Sequence, residues 1–277
     1  MVSTILNRLR RRLRIGYRFL KCFKGLTLKS FLNLYVSVVL DILLYCLSTR
    51  PFNLRILTNG IYLIKPHGIY VFARRLSDDL YYCLPYREKY VESIIKYTLK
   101  DGDIFVDVGA NVGYFSLLAS RKVGMRGLVI AFEPVPTTYR VFLMNLKLNN
   151  VKNVRPYNLA VWSKSKKLRI VIPKGLFSLA SIVCSKQLYK GKFIRTYVTA
   201  VTLDGILDEY RKIKMIKIYA EGSEYQILKG SLRTLQKTQY IIVELTLNIR
   251  ETLKLLRNLE FKIQRLGKTN YVLAYHH

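Results

Sequence analysis

Asp101-Gly102-Asp103-Ile104-Phe105-Val106-Asp107-Val108-Gly109-Ala110-Asn111-Val112-Gly113-Tyr114-Phe115 decides the fold. Asp101-Gly102-Asp103 is a turn, and Ile104 to Val108 is a short apolar run of the kind that forms a strand buried on both faces. Two glycines follow, separated by three residues, and Tyr114, Phe115, Leu117, Leu118 and Ala119 begin a helix. A strand, a glycine loop and a helix form a ligand site at a helix N-terminus, where backbone must turn sharply and be approached closely. A second buried strand, Gly127 to Phe132, ends at Glu133-Pro134. An acid at that tip, about 20 residues past the glycines, stands where nucleotide folds hold the ribose hydroxyls.

The loop is G-x-x-x-G after Asp107, which lacks both the G-x-G-x-x-G of a dinucleotide fold and the G-K-[ST] of a phosphate loop. An acid beside the turn repels a pyrophosphate and favours a cationic head, so the spacing favours S-adenosylmethionine over NAD or ATP. The alternative, a glycine turn with no ligand, leaves Asp107, Asn111 and Glu133 as unexplained polar groups at strand ends.

Five blocks then occur in order: Asp107 to Ser116, Phe132-Glu133-Pro134, Asn145-Leu146-Lys147-Leu148-Asn149, Thr202-Leu203-Asp204, and Ala220-Glu221-Gly222-Ser223-Glu224. From about residue 78 to about 245 the chain resembles the FkbM-type methyltransferases. The resemblance implies a doubly wound Rossmann-like α/β sheet, mostly parallel with an antiparallel C-terminal edge, preceded by N-terminal helices and a β-hairpin. It implies S-adenosylmethionine as cofactor, held by Asp107, Gly109, Ala110, Asn111, Gly113, Tyr114 and Glu133. Asp107 and Asn111 would take the methionine end and Glu133 the ribose diol, with Asn158 and Ala160 near the adenine.

The catalytic candidates are Glu221 and Tyr219. Glu221 ends the strand beside the cofactor strand and reads either as a general base for a hydroxyl acceptor or as a loop acid bonding backbone amides. Glu244, ending the next strand, reads as an acceptor-orienting or a surface group. The family pattern here is usually K-I-D-x-E-G, whereas this chain has Lys217-Ile218-Tyr219-Ala220-Glu221-Gly222. Tyr219 is neutral near pH 7 and cannot act as a carboxylate, although it can donate a hydrogen bond or wall a pocket. The acceptor is expected to be a small molecule, glycan or lipid-linked saccharide, methylated on oxygen. RNA is the rival, favoured by charge but lacking the [ND]-P-P-[FY] block of many base methylases. A catalytically weak membrane adaptor on the same scaffold is the other.

The 277 residues suffice for one large α/β domain and an extension, and 51% apolar composition excludes a disordered chain. A net charge of +30 favours an anionic partner or, more blandly, a uniformly basic surface. Cys22, Cys46, Cys83 and Cys184 are scattered without a C-x-x-C pair, and His67 stands apart from His276-His277. No metal-ligand cluster is expected, the cysteines read as reduced thiols, and the setting reads as cytoplasmic.

Three segments are expected. Residues 1–50 form a helical extension, 51–100 a hairpin-helix lead-in, and 101–277 the methyltransferase domain. In residues 1–26, arginines and lysines interleave with Leu6, Leu9, Leu13, Tyr17 and Leu20, a basic amphipathic helix suited to an anionic lipid surface or to packing on its own domain. In residues 28–48, Ser30, Asn33, Ser37, Asp41 and Ser48 form nearly one polar stripe on an apolar helix. Phe31 to Leu47 is short for a membrane span, and Asp41 at its centre would cost roughly 3 kcal/mol. No small-residue cleavage site follows, so no removed signal is expected. A helix lying on the inner face of a membrane through residues 1–48, or docked on the domain, is therefore preferred to a spanning one. Gly60 to Ile64 and Ile69 to Ala73 make a hairpin with a solvated His67 in its turn. Residues 164–200 hold two strands around a long glycine-containing loop where selectivity could reside.

Overall fold

The computed structural model describes residues 2–47, 57–183 and 192–276. In chain order the helices are α1 (Val2–Cys22), α2 (Leu28–Leu47), α3 (Asp79–Tyr82), α4 (Lys89–Thr98), α5 (Tyr114–Val123), α6 (Pro136–Leu148), α7 (Leu203–Ile206), α8 (Glu224–Lys229), α9 (Leu232–Gln236) and α10 (Ile249–Asn258). The strands are β1 (Phe23–Gly25), β2 (Gly60–Ile64), β3 (Ile69–Ala73), β4 (Ile104–Val108), β5 (Leu128–Phe132), β6 (Val154–Tyr157), β7 (Ala160–Val161), β8 (Lys166–Pro173), β9 (Phe193–Val201), β10 (Ile213–Ile218), β11 (Thr238–Glu244), β12 (Lys262–Arg265) and β13 (Tyr271–Tyr275).

A seven-stranded sheet runs in the order β12-β13-β11-β10-β4-β5-β6. β11, β10, β4, β5 and β6 are parallel, and β13 is antiparallel to both its neighbours. This is the doubly wound arrangement with an antiparallel edge that the buried apolar runs predict. The period-2 alternation of a strand sorts its side chains between two layers. Phe105, Val129 and Met215 join the core that also holds α4, α5, α6 and the hairpin, while Val106, Ile130 and Ile216 join the core under α7 to α10.

Several expectations need adjustment. A three-residue strand, β1, pairs Phe23 with Ile64, so the N-terminal helices and the hairpin share one sheet. Residues 224–236 form two short helices, α8 and α9, and between them Gly230 passes so close to Trp162 that a Cβ would lie 2.2 Å from its carbonyl oxygen. Val154–Tyr157 closes the main sheet beside β5, whereas Ala160–Val161 pairs with β9 in a separate sheet of order β7-β9-β8. His67 is in the hairpin turn but not solvated: Tyr86 and Tyr114 flank its ring, and Nε2 is 3.7 Å from Glu92. Cys22 and Cys83 are free and buried.

Two of the motif blocks are framework. Asn145 accepts a hydrogen bond from the Phe72 amide (2.7 Å) and donates to the Val112 carbonyl (2.8 Å). Asn149 accepts from the Tyr70 amide and donates to its carbonyl, so both asparagines fasten β3 to α6. Thr202 caps α7 through the Gly205 amide, and Asp204 accepts from the Arg233 and Thr234 amides at the start of α9.

At the centre, Lys217 of β10 stands opposite Asp107 of β4, with Nζ to Oδ1 at 2.9 Å and both side chains fully buried. Ser116 of α5 donates to the other carboxylate oxygen at 2.7 Å. Removing one partner of a buried pair strands the other charge, at a cost of ~3–5 kcal/mol. Lys217→Met is therefore expected to lower unfolding free energy by ~3–5 kcal/mol in urea titration. The double variant Lys217→Met/Asp107→Leu is expected to lose less than the sum of the single changes.

Candidate active site

The site forms above the C-terminal edge of β4, β5 and β10, where an open α/β sheet leaves a crevice. Gly109 and Ala110 both donate their amides to the Phe132 carbonyl, at 3.0 and 2.9 Å, which folds the loop over the end of β5. Gly109 has φ +77°, and a Cβ there would lie 1.9 Å from the Tyr219 carbonyl oxygen, so only glycine lets this loop pass beneath β10's exit. Asn111, also at positive φ (52°), donates its amide to Glu133 Oε2 at 2.9 Å. Glu133 Oε1 accepts from the Val135 amide at 2.8 Å. Burial pushes the Glu133 carboxyl up to about 7, against the lowering effect of the two amides. Asn111 Oδ1 is buried without a hydrogen-bond partner among the described residues.

Gly109, Asn111, Glu133 and Ala160 line one crevice with Val108, Phe132, Leu159 and Val161. That set suits S-adenosylmethionine. Glu133 and the open Asn111 oxygen are acceptors for ribose hydroxyls or an ammonium, and the apolar walls suit an adenine. The crevice encloses only about 60 Å³. Ligand pockets span about 300–1,000 Å³, so the crevice is narrow for a nucleoside under its present roof. The roof is the helical turn Phe177–Leu179. It is tied down by Asp78, whose carboxylate accepts from the Phe177 and Ser178 amides and the Ser178 hydroxyl. Arg74 packs 3.7 Å over the Phe177 ring. Residues 184–191 of the same connection lie outside the described residues.

Five of the expected cofactor contacts have framework partners in the structure. Asp107 is consumed by Lys217 and Ser116 and does not line the crevice. Gly113 faces α6, since a Cβ there would lie 2.2 Å from the Phe142 ring. The buried Tyr114 points toward α4 and donates its hydroxyl to Glu92 at 3.1 Å. Asn158 donates to the Glu133 and Pro134 carbonyls and braces the acid's backbone. Ala110 supplies the amide bonded to Phe132 and is fully buried behind the crevice lining.

Glu221 and Tyr219 face the same crevice. Glu221 takes a left-handed backbone conformation (φ 44°), uncommon for a residue with a side chain. The amide-bonding role belongs to Glu224, which accepts from the Gly222 amide (3.0 Å) and from Thr246 (2.7 Å). Burial pushes the Glu221 carboxyl up to about 7, while a hydrogen bond from Tyr219 opposes the rise. Burial, and then the nearby Glu221, push Glu244 up to about 8.

Around Tyr219, next to the crevice, lies a buried polar cluster, and much of it was not singled out from the sequence. The Tyr82 ring lies parallel to Tyr219 at 6.3 Å, and Tyr271 is 6.3 Å from Tyr219 on another side. Arg87 sits 5.2 Å over the Tyr82 ring and pairs with Glu88. The Tyr82 and Tyr271 hydroxyls, Glu88 Oε2 and Glu244 Oε2 are buried without hydrogen-bond partners among the described residues. Of these, Tyr82, Arg87, Glu88 and Tyr271 come from the lead-in and the last strand, outside the five motif blocks, and no local spacing marked them.

The geometry defines a nucleoside-cofactor transferase of the Rossmann-like class. Residues 107–267 match the family described as "Methyltransferase FkbM domain". That is more than half of the chain, and the chain belongs to this family, whose methyl donor is S-adenosylmethionine. Methyltransferase 1 of Beauveria bassiana is 22% identical over 147 residues, covering 47% of this chain and 59% of the relative. Methyltransferase sdnD of Sordaria araneosa is 28% identical over 160 residues, covering 48% and 61%. The chain thus spans about three-fifths of the length of these curated relatives. A tRNA(Phe) (4-demethylwyosine(37)-C(7)) aminocarboxypropyltransferase of Methanocaldococcus jannaschii is 28% identical over 140 residues, covering 50% of this chain and 55% of the relative. Among solved structures, Aeropyrum pernix fibrillarin with natively bound S-adenosyl-L-methionine aligns at 10% identity and a TM-score of 0.41, covering 78% of this chain and 92% of that one.

Glu133→Gln keeps one acceptor oxygen and gives up one of the two backbone amides that brace the loop, whereas Glu133→Ala gives up both. By calorimetry the glutamine variant is expected to bind S-adenosylmethionine about tenfold more weakly, the ~1.4 kcal/mol of one charge-assisted hydrogen bond. Full affinity in the glutamine variant with loss only in alanine would assign Glu133 to bracing the loop.

Proposed function

We propose that the chain is an S-adenosylmethionine-dependent O-methyltransferase acting on a hydroxyl of a small molecule, glycan or lipid-linked saccharide. One observation carries this reading. Glu221, a carboxylate whose proton affinity is tuned to near neutrality, opens on the same crevice as Gly109, Asn111 and Glu133. When bound, S-adenosylmethionine supplies a methyl group already activated on a sulfonium. The chain's own residues do the rest. Glu133 and Asn111 hold the donor, and the Phe177 turn shuts out water. Glu221 accepts the proton of the attacking hydroxyl. Tyr219 takes the place of the family's usual acid as a positioning residue, since its hydroxyl bonds the base and favours the ionised form. The unpartnered groups of Tyr82, Tyr271 and Glu244 offer hydrogen bonds to further hydroxyls, which fits a polyhydroxylated acceptor.

RNA is the second reading. Between α4, α5 and the hairpin turn lies a groove of about 480 Å³ whose cations are Lys89, Lys96, Arg121 and Lys122, with exposed Tyr86 and Tyr97 beside them. Cations and exposed aromatic rings suit single-stranded RNA. Filter binding across salt separates the readings, since an RNA enzyme would lose affinity steeply as salt rises.

Transfer of isotopically labelled methyl from the donor to fractionated glycan, lipid and RNA pools tests the proposal. Label in an alkali-stable ether is expected, and label confined to RNA bases would overturn it. Below pH 7 Glu221 holds its proton and cannot accept another, so turnover is expected to rise with pH through about 7. Glu221→Gln is expected to flatten that limb and lower turnover by ~100-fold or more. Tyr219→Phe is expected to move the limb to higher pH with the plateau largely kept. An unmoved limb in that variant would mean that Tyr219 does not act on the base.

A further inference from the structure

The second helix buries a mixed face, with Leu34 and Val38 in the core beside its polar positions. Its polar stripe, Ser30, Ser37 and Asp41, is buried against the protein. Ser30 exchanges hydrogen bonds with Thr27, Ser37 Oγ accepts from the Leu57 amide at 3.0 Å, and Asp41 faces Arg12 of α1 at 3.6 Å. The apolar face points outward: Leu28 is 75% exposed, Leu32 51%, Val39 54% and Leu43 52%, with Phe31 and Tyr35 between them. These positions follow helical spacing, so the exposed side chains form one continuous band rather than scattered single residues. A band of this length is uncommon on a surface meant for water.

The surroundings identify what covers it. The first 40 residues contain nine arginines and lysines and no carboxylate. Arg10, Arg11 and Arg14 are exposed on α1, as are Leu13 and Tyr17. The first acid, Asp41, is buried beside Arg12 and so does not offset the outward charge. A second copy of this chain would bring the same cations against these, which like-charge repulsion opposes. An anionic lipid surface presents headgroups to the arginines and acyl chains to the leucines. Crossing is ruled out for this face by the same geometry, because the inner stripe is committed to the domain. Among the described residues no helix is long and apolar enough to cross a membrane.

We propose that the outward face of α2, with the arginines of α1 beside it, lies in the interface of an anionic bilayer, parallel to its plane. The proposal stands apart from methyl transfer and needs no cofactor. Flotation of the full chain with phosphatidylcholine vesicles, with and without phosphatidylserine, tests it. Binding is expected with phosphatidylserine and is expected to weaken as salt rises. Leu32→Glu/Val36→Glu/Val39→Glu is expected to bind at least tenfold more weakly with an unchanged circular dichroism spectrum. Arg10→Gln/Arg11→Gln/Arg14→Gln is expected to lose most of the preference for phosphatidylserine. As a check that does not depend on the triple variant folding, Leu32→Trp is expected to blue-shift and to be quenched by brominated lipid. A parent chain that stays out of every vesicle fraction overturns the proposal. So does a Leu32→Trp spectrum unmoved by lipid, or a dimer in sedimentation that the triple glutamate variant dissolves while vesicle binding is absent.

Discussion

The ion pair between Lys217 and Asp107 is the constraint on which the site depends. It joins the two central strands directly under the glycine loop, and Ser116 draws α5 into the same contact. A buried pair of this kind is retained only when its remaining lone pairs and protons are satisfied, and here the lysine also lies 5.1 Å from the Phe115 ring. The pair fixes where β4 and β10 end relative to one another. It therefore fixes how far Tyr219 and Glu221 stand from Gly109. It also commits the charge of Asp107 to Lys217 and Ser116, away from the crevice.

Three nearby acids are held near neutrality by burial. Glu133, Glu221 and Glu244 are pushed up to about 7, 7 and 8. Each would be a poor base if fully protonated and a weak one if held at its ordinary value. A second aspartate at position 219 would place another negative charge beside Glu221 and drive its proton affinity higher still. A tyrosine there donates a hydrogen bond and carries no charge. The departure from the usual motif thus leaves one negative charge fewer beside Glu221 and adds a flat ring parallel to that of Tyr82.

The strands of the main sheet were legible because strands buried on both faces leave unbroken apolar runs, and glycine loops between them are hard to mistake. What failed was local and short. Phe23-Lys24-Gly25 is too brief to show alternation, and its pairing with β2 is a long-range event. Ile249–Asn258 was not anticipated, since Arg250, Glu251, Lys254 and Arg257 mask a narrow buried edge of Thr252 and Leu256. Within the site, spacing located the crevice but could not separate residues that touch a ligand from residues that brace those that do. Asp107, Gly113, Tyr114 and Asn158 all look like site residues because they adjoin it in sequence. Arg87, Tyr82 and Tyr271 do not, because they reach it only through the fold.

The α2 stripe shows the same limit in another form. Periodicity establishes that a helix has two faces; it does not establish which face meets water. For most helices that choice is made by the rest of the core, and the apolar face goes in. Here the inner face meets Arg12 and the Leu57 amide as well as the core, so it carries Ser37 and Asp41 beside Leu34 and Val38. Burying the leucines instead would strand both of these groups and expose Asp41 to a surface already rich in arginine. Once that inward choice is made, the apolar face has to find a non-aqueous neighbour outside the chain. The cations on α1 then decide what sign of charge that neighbour carries.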